Sequence, residues 1–123
     1  MSEFLTRRSD FTREQFSEYW TNTHGPLLMS VPEVKKYCIR YVRQHNTGWT
    51  PDGVAPAPYD GVVEAWFENA EALQAIAKSE NWDVMLADVE NFADTSKTVV
   101  LFTTEEIIHQ RGTGDPGPHC GSS

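Results

Sequence analysis

Apolar and polar positions along this chain recur with two different periods, and the switches between them lay out its elements. Phe4-Leu5-Thr6, ahead of Arg7-Arg8, reads as a short first strand closed by a turn at Ser9-Asp10. From Thr12 the period becomes helical: Phe16, Tyr19, Trp20 and Thr23 fall at i, i+3, i+4 and i+7, and Thr12 with Gln15 has the form of a capping box. Gly25 and Pro26 predict the end of this helix, because glycine suits a helix terminus and proline cannot continue the hydrogen-bond ladder. That places His24 in or beside the last turn. Period two returns over residues 34–43, where Tyr37, Ile39 and Tyr41 alternate with Cys38, Arg40 and Val42, so the second strand is expected to be apolar on both faces.

Residues 46–58, rich in glycine and proline around a lone Trp49, predict a long surface loop, a type of segment that often serves as a lid. Tyr59 to Phe67 reads as a third strand, with Val63, Ala65 and Phe67 on one side and Val62, Glu64 and Trp66 on the other. Asn69 caps a helix running through Lys78, and Trp82, Met85, Leu86, Val89 and Phe92 continue at helical spacing. Thr98 to Thr104 is the last strand. The order βαββαβ is that of the α+β, ferredoxin-like split βαβ fold, a four-stranded antiparallel sheet with helices on one face. A sheet that is apolar on both faces and covered on one is expected to pack against a second copy, giving a homodimer.

Charge narrows the possible partners. Eighteen Asp+Glu against ten Lys+Arg leave a net charge of -8, which repels nucleic-acid phosphates and anionic lipid. No apolar run approaches the roughly 18 residues a membrane span requires, and Glu3, Arg7 and Arg8 interrupt any signal-peptide core. No nucleic acid, no membrane and a cytoplasmic location are expected. The two cysteines, Cys38 and Cys120, fit a reducing compartment better than a disulfide framework. One domain over residues 1–108 and a flexible Gly/Pro-rich tail over 109–123 complete the organisation.

Arg8, Thr12 to Phe16, Tyr19-Trp20, His24-Gly25-Pro26-Leu27, Arg40 to His45, Tyr59 to Phe67, Ala87-Asp88 and Thr103 to Glu106 together resemble the EthD-like proteins, a branch of the dimeric α+β barrels, in order and approximate spacing. The resemblance covers about residues 4 to 108. It implies a homodimer of ferredoxin-like subunits, each with an apolar pocket for a small-molecule substrate between sheet and helices. The wider superfamily includes cofactor-free cyclases, dehydratases, decarboxylases and isomerases, quinone-forming monooxygenases and haem enzymes, so the resemblance alone fixes no reaction.

His24 is the first catalytic candidate, because imidazole exchanges protons near neutral pH; its bland alternative is capping the last carbonyls of its helix. Tyr41 and His45 share strand parity with Arg43, so one face is expected to present a phenol, a guanidinium and an imidazole in a row, although a loop-edge histidine is often merely solvated. Glu64, mid-strand, is either a buried acid or base or an ion-pair partner of Arg40. Asp88 either faces solvent, the reading helix spacing favours, or orients a histidine. Trp20, Trp66 and Phe67 are candidates, with Asp88, to bind substrate, and equally plain core residues.

The four histidines show no metal-ligand spacing, although a single haem-ligating histidine stays open, and no Gly-rich loop suggests a nucleotide. No metal and no cofactor are expected. A proton-transfer residue without metal or nucleotide signals, taken with the resemblance, points to a cofactor-independent lyase or isomerase, of dehydratase or cyclase type, acting on a small cyclic or aromatic polyketide-like molecule. The alternatives are a monooxygenase, cofactor-free or haem-dependent, and a non-catalytic accessory protein of an oxidative degradation pathway.

Overall fold

The alternating segments assemble into an antiparallel sheet in the computed structural model, which describes residues 1–112. The strands are β1 (Ser2–Leu5), β2 (Cys38–His45), β3 (Gly61–Phe67) and β4 (Val99–Leu101), in the spatial order β2-β3-β1-β4. The helices are α1 (Arg13–Tyr19), α2 (Gly25–Met29), α3 (Pro32–Tyr37), α4 (Ala70–Ala77) and α5 (Trp82–Val89). This is the expected ferredoxin-like α+β fold. The proposed tail from residue 113 onward, with Cys120, lies outside the described residues.

The capping box forms as read: Gln15 N–H donates to Thr12 Oγ1 at 3.1 Å, and Thr12 N–H to Gln15 Oε1 at 2.8 Å. The helix does not end at Gly25, however. Gly25 is right-handed helical at φ -57°, and residues Trp20–His24 form a π-turn in which Gly25 N–H bonds Trp20 O. The wider turn absorbs the change of register before Pro26, whose missing N–H is harmless in the first turn of α2.

The second strand also starts later than its alternation suggests. Pro32 opens α3, and Val34, in this helix, is buried with Leu28, Val31, Ile76 and Met85. A bulge between Cys38 and Arg40 then leaves Ile39 exposed and resets the parity. The last strand is shorter than expected because β1 offers partners only from Ser2, opposite Leu101, to Phe4, opposite Val99.

Register decides the faces. Tyr41 lies opposite Ala65, Arg43 opposite Val63 and Glu3 opposite Val63 from the other side, so these residues project toward the helices. Leu5, Phe16, Trp20, Val63, Phe92 and Ala93 form one core, the α3-centred group forms a second, and Tyr41 packs against both. Gly61 permits the closest approach, since a Cβ there would run into the Trp20 ring. Gly61→Ala should therefore destabilise the fold by about 1–3 kcal/mol through overpacking, read as a lower denaturation midpoint with unchanged m-value.

Candidate active site between the sheet and the helices

A cavity of about 130 Å³ lies between the two cores. Leu28, Val34, Val63, Phe67, Ile76 and Met85 make its walls apolar, and Glu3, His24, Cys38 and Tyr41 are its polar groups. Leu86 also lines it while remaining 48% exposed, so this side chain stands where the cavity meets solvent.

His24 is only 5% exposed. The π-turn carries it against α5, where its Nδ1–H donates to Asp88 Oδ2 at 2.9 Å, and Phe92 lies beside the ring at a centroid distance of 5.0 Å. Asp88 is held in turn: Tyr19 Oη donates to its Oδ1 at 2.6 Å and Asn91 Nδ2 at 3.1 Å. Burial works to raise the Asp88 carboxyl, but the hydrogen bonds from Tyr19, His24 and Asn91 and the charge of His24 outweigh it and hold the group below the ordinary carboxylate range. A permanent carboxylate on Nδ1 fixes the tautomer in which Nε2 carries the lone pair. The expectation that Asp88 faces solvent is thus corrected, because α5 packs on the π-turn and gives the carboxylate three donors. The hydrogen bond to Asp88 also raises the Tyr19 phenol, and burial adds to it.

Two further groups share the cavity. Burial drives the Tyr41 phenol far up, and the nearby Glu3 charge adds to the effect, so Tyr41 remains a hydrogen-bond donor. Glu3 is raised by burial, and among the described residues no hydrogen bond or ion pair reaches its carboxyl group. Glu3 was not a candidate from the sequence. Only its place opposite Val63 turns it inward, and a strand of four residues offers no alternation from which to read that.

The other expected residues lie apart. His45 is on the same strand face but does not line the cavity; its ring lies tilted beside Trp20 at a centroid distance of 5.0 Å and its Nδ1 lies 3.0 Å from Ser17 Oγ. Burial and the Arg43 charge lower its pKa. Trp20 is fully buried core. Glu64 and Trp66 are on the opposite, helix-free face, where Gln44, not Arg40, bonds Glu64 at 3.0 Å. Arg40 instead stacks over Trp66 at 4.9 Å, and Trp66 Nε1 donates to Glu105 at 2.9 Å. Of the expected residues, then, His24, Tyr41, Phe67 and Asp88 are brought together, and His45, Glu64, Trp20 and Trp66 are not. Among the described residues no group of His, Cys, Asp and Glu is arranged to hold a metal ion, and no helix is long and apolar enough to cross a membrane.

A family model for the EthD domain matches residues 8–96. Comparison with curated proteins gives no match. Among solved structures, the chain is similar to an ethyl tert-butyl ether d (EthD) family protein from Bacillus halodurans C-125, with TM-score 0.63, 16% identity, and 85% of this chain and 96% of the other covered. A dimeric ferredoxin-like protein of unknown function from Thermobifida fusca YX has TM-score 0.55 at 15% identity, covering 80% and 81%. HapK from Hahella chejuensis has TM-score 0.55 at 14% identity, covering 93% and 100%.

Proposed function

Because this chain belongs to the EthD domain family, whose model spans most of it, we propose that it is a cofactor-independent lyase or isomerase that moves a proton within the cavity. The observation that carries this reading is the His24–Asp88 pair: a buried imidazole on the cavity wall, held by Nδ1 and, among the described residues, with no partner at Nε2. His24 Nε2 takes a proton from the carbon beside a carbonyl, and Asp88 stabilises the imidazolium that forms.

In the dehydration form of the reaction, the electron pair of that C–H bond forms the new C=C bond as the β C–O bond breaks. Glu3, whose pKa burial raises, gives the proton of its protonated form to the departing hydroxyl, so the products are an enone and water. Tyr41, which also lines the cavity, hydrogen-bonds the developing enolate oxygen. Since Glu3 must be protonated and its pKa is raised, the rate should persist above the ordinary range of glutamic acids and fall as pH rises through the raised value.

A homodimer is part of the proposal. Val99 and Leu101 at the sheet edge are 47% and 54% exposed, and Phe102, Ile107 and Ile108 beyond them are 65%, 66% and 85% exposed. Such a patch calls for a partner, and a second copy closes it symmetrically.

The test uses 3-hydroxycyclohexanone, a single ring in proportion to the cavity, with dehydration followed by enone absorbance. Acceleration well beyond that given by free imidazole is expected, and none would overturn the reading. Asp88→Asn should lower kcat by roughly 10²-fold with little change in KM, since the tautomer is lost and the binding walls remain.

A further inference from the structure

Beside the cavity lies an open groove of about 430 Å³ between α2, α3 and the edge of β2, and the two share Leu28, Val34, Cys38 and Tyr41. The charged residues of the groove are Lys35, Arg40 and Arg43, with no carboxylate among its lining. This sign opposes that of the whole chain, whose net charge is -8. No acidic residue occurs between Glu33 and Asp52, yet Lys35, Lys36, Arg40 and Arg43 all fall there. Four cations elsewhere do have carboxylate partners: Arg7 and Arg13 pair with Asp60, Arg8 with Asp10, and Lys97 with Asp94.

Arg43 is the most telling of these groups. Its guanidinium is half-buried, Nη1 donates to Trp20 O at 2.6 Å, and the charge lies 5.9 Å from the centre of the Trp20 ring. Among the described residues no carboxylate pairs with it, and most of its five N–H donors find no acceptor there. A partly desolvated guanidinium without an anion is unfavourable, and a bidentate carboxylate would relieve it. Gly25 makes room for this arrangement, since a Cβ there would lie 2.7 Å from Arg43 Nη1.

We propose that the groove binds the carboxylate of the substrate on Arg43, with Lys35 and Arg40 adding to the attracting field, while the ring of the same molecule occupies the cavity. This rests on the proton-transfer reading for the role of the ring and deepens it: the substrate class is a single-ring carboxylic acid. A cavity near 130 Å³ suits one ring, as an apolar cavity of about 150 Å³ admits benzene. The positive groove also steers anions toward an otherwise repelling protein.

The experiment is calorimetric titration of the full chain with benzoate and with benzamide, which has nearly the same shape and no charge. Benzoate should bind roughly tenfold tighter at low salt, and the preference should shrink as salt rises. Arg43→Gln should abolish the preference by weakening benzoate far more than benzamide, and Gly25→Ala should weaken it by displacing the guanidinium. Should Arg43→Gln fail to fold, the exposed Lys35→Gln variant should still reduce the preference by about twofold to threefold. Equal binding of the two ligands, no binding of benzoate, or a preference that survives these substitutions would overturn the proposal. Turnover measured beside binding separates the two readings. Benzoate preference without turnover of any substrate leaves the groove standing and removes the proton transfer, whereas turnover of neutral 3-hydroxycyclohexanone without benzoate preference removes the groove alone.

Discussion

His24→Gln is expected to fold and to lose about 10²–10⁴-fold of the dehydration rate, the usual contribution of a positioned general base. Glutamine is the informative replacement because its amide N–H can still donate to Asp88. The carboxylate is then not orphaned, whereas alanine would leave a largely buried charge with one donor fewer and confuse lost stability with lost chemistry. An amide has no lone pair basic enough to take a proton from carbon, so the loss should fall on kcat while KM changes little. Initial rates beside a thermal melt distinguish the two effects. A variant with an unchanged melt and wild-type turnover would remove His24 from the mechanism.

Asp60→Ala should produce the largest loss of stability. Asp60 is 4% exposed and joins three parts of the fold at the entry to β3. Arg7, just after β1, donates its backbone N–H to Oδ2 at 2.9 Å and Nη1 to Oδ1 at 2.6 Å, and Arg13, opening α1, donates Nε to Oδ1 at 3.2 Å. Both arginine side chains are more than a third exposed and can recover water, so the expected cost is about 3 kcal/mol, below that of orphaning fully buried charges. In a domain of this size that is a melting temperature roughly 10 °C lower.

The pH dependence has a definite sign. Burial tends to raise the Asp60 carboxyl, but the bonds from Arg7 and Arg13 and the Arg7 charge hold it below its ordinary value of 3.8. Its stabilisation is therefore fully present above that value and is lost as pH falls through the lower, folded-state value. The difference between wild type and Asp60→Ala should be constant near neutrality and shrink only in acid. A gap that widened in acid would contradict this role.

What could be read from the sequence followed local periodicity. The capping box at Thr12 and Gln15 and the opposed parities of Val63 and Val62 are properties of a few consecutive residues, and each appears in the structure as expected. The site is made by long-range pairing. His24 and Asp88 are 64 positions apart and meet only because α5 packs on the π-turn. Tyr41, Arg43 and His45 do share a face, but at about 3.3 Å per residue His45 stands roughly 13 Å beyond Tyr41, past the end of the cavity. Glu64 was ambiguous because both sides of β3 carry apolar residues, and period two cannot say which side the helices cover. The helix boundary at Gly25 was misread for a local reason: glycine there serves the close approach of Arg43, not a left-handed cap.

The central claim is that His24, oriented by Asp88, exchanges a proton with carbon inside the cavity, whichever bond breaks afterwards. It is tested most directly by following deuterium uptake at the α carbons of cyclohexanone by NMR in heavy water, a substrate with no leaving group. Wild-type protein should accelerate uptake well above an equal concentration of free imidazole, and His24→Gln should return it to the buffer rate. Uptake at the buffer rate with the wild-type protein, or equal acceleration by His24→Gln, would contradict the account.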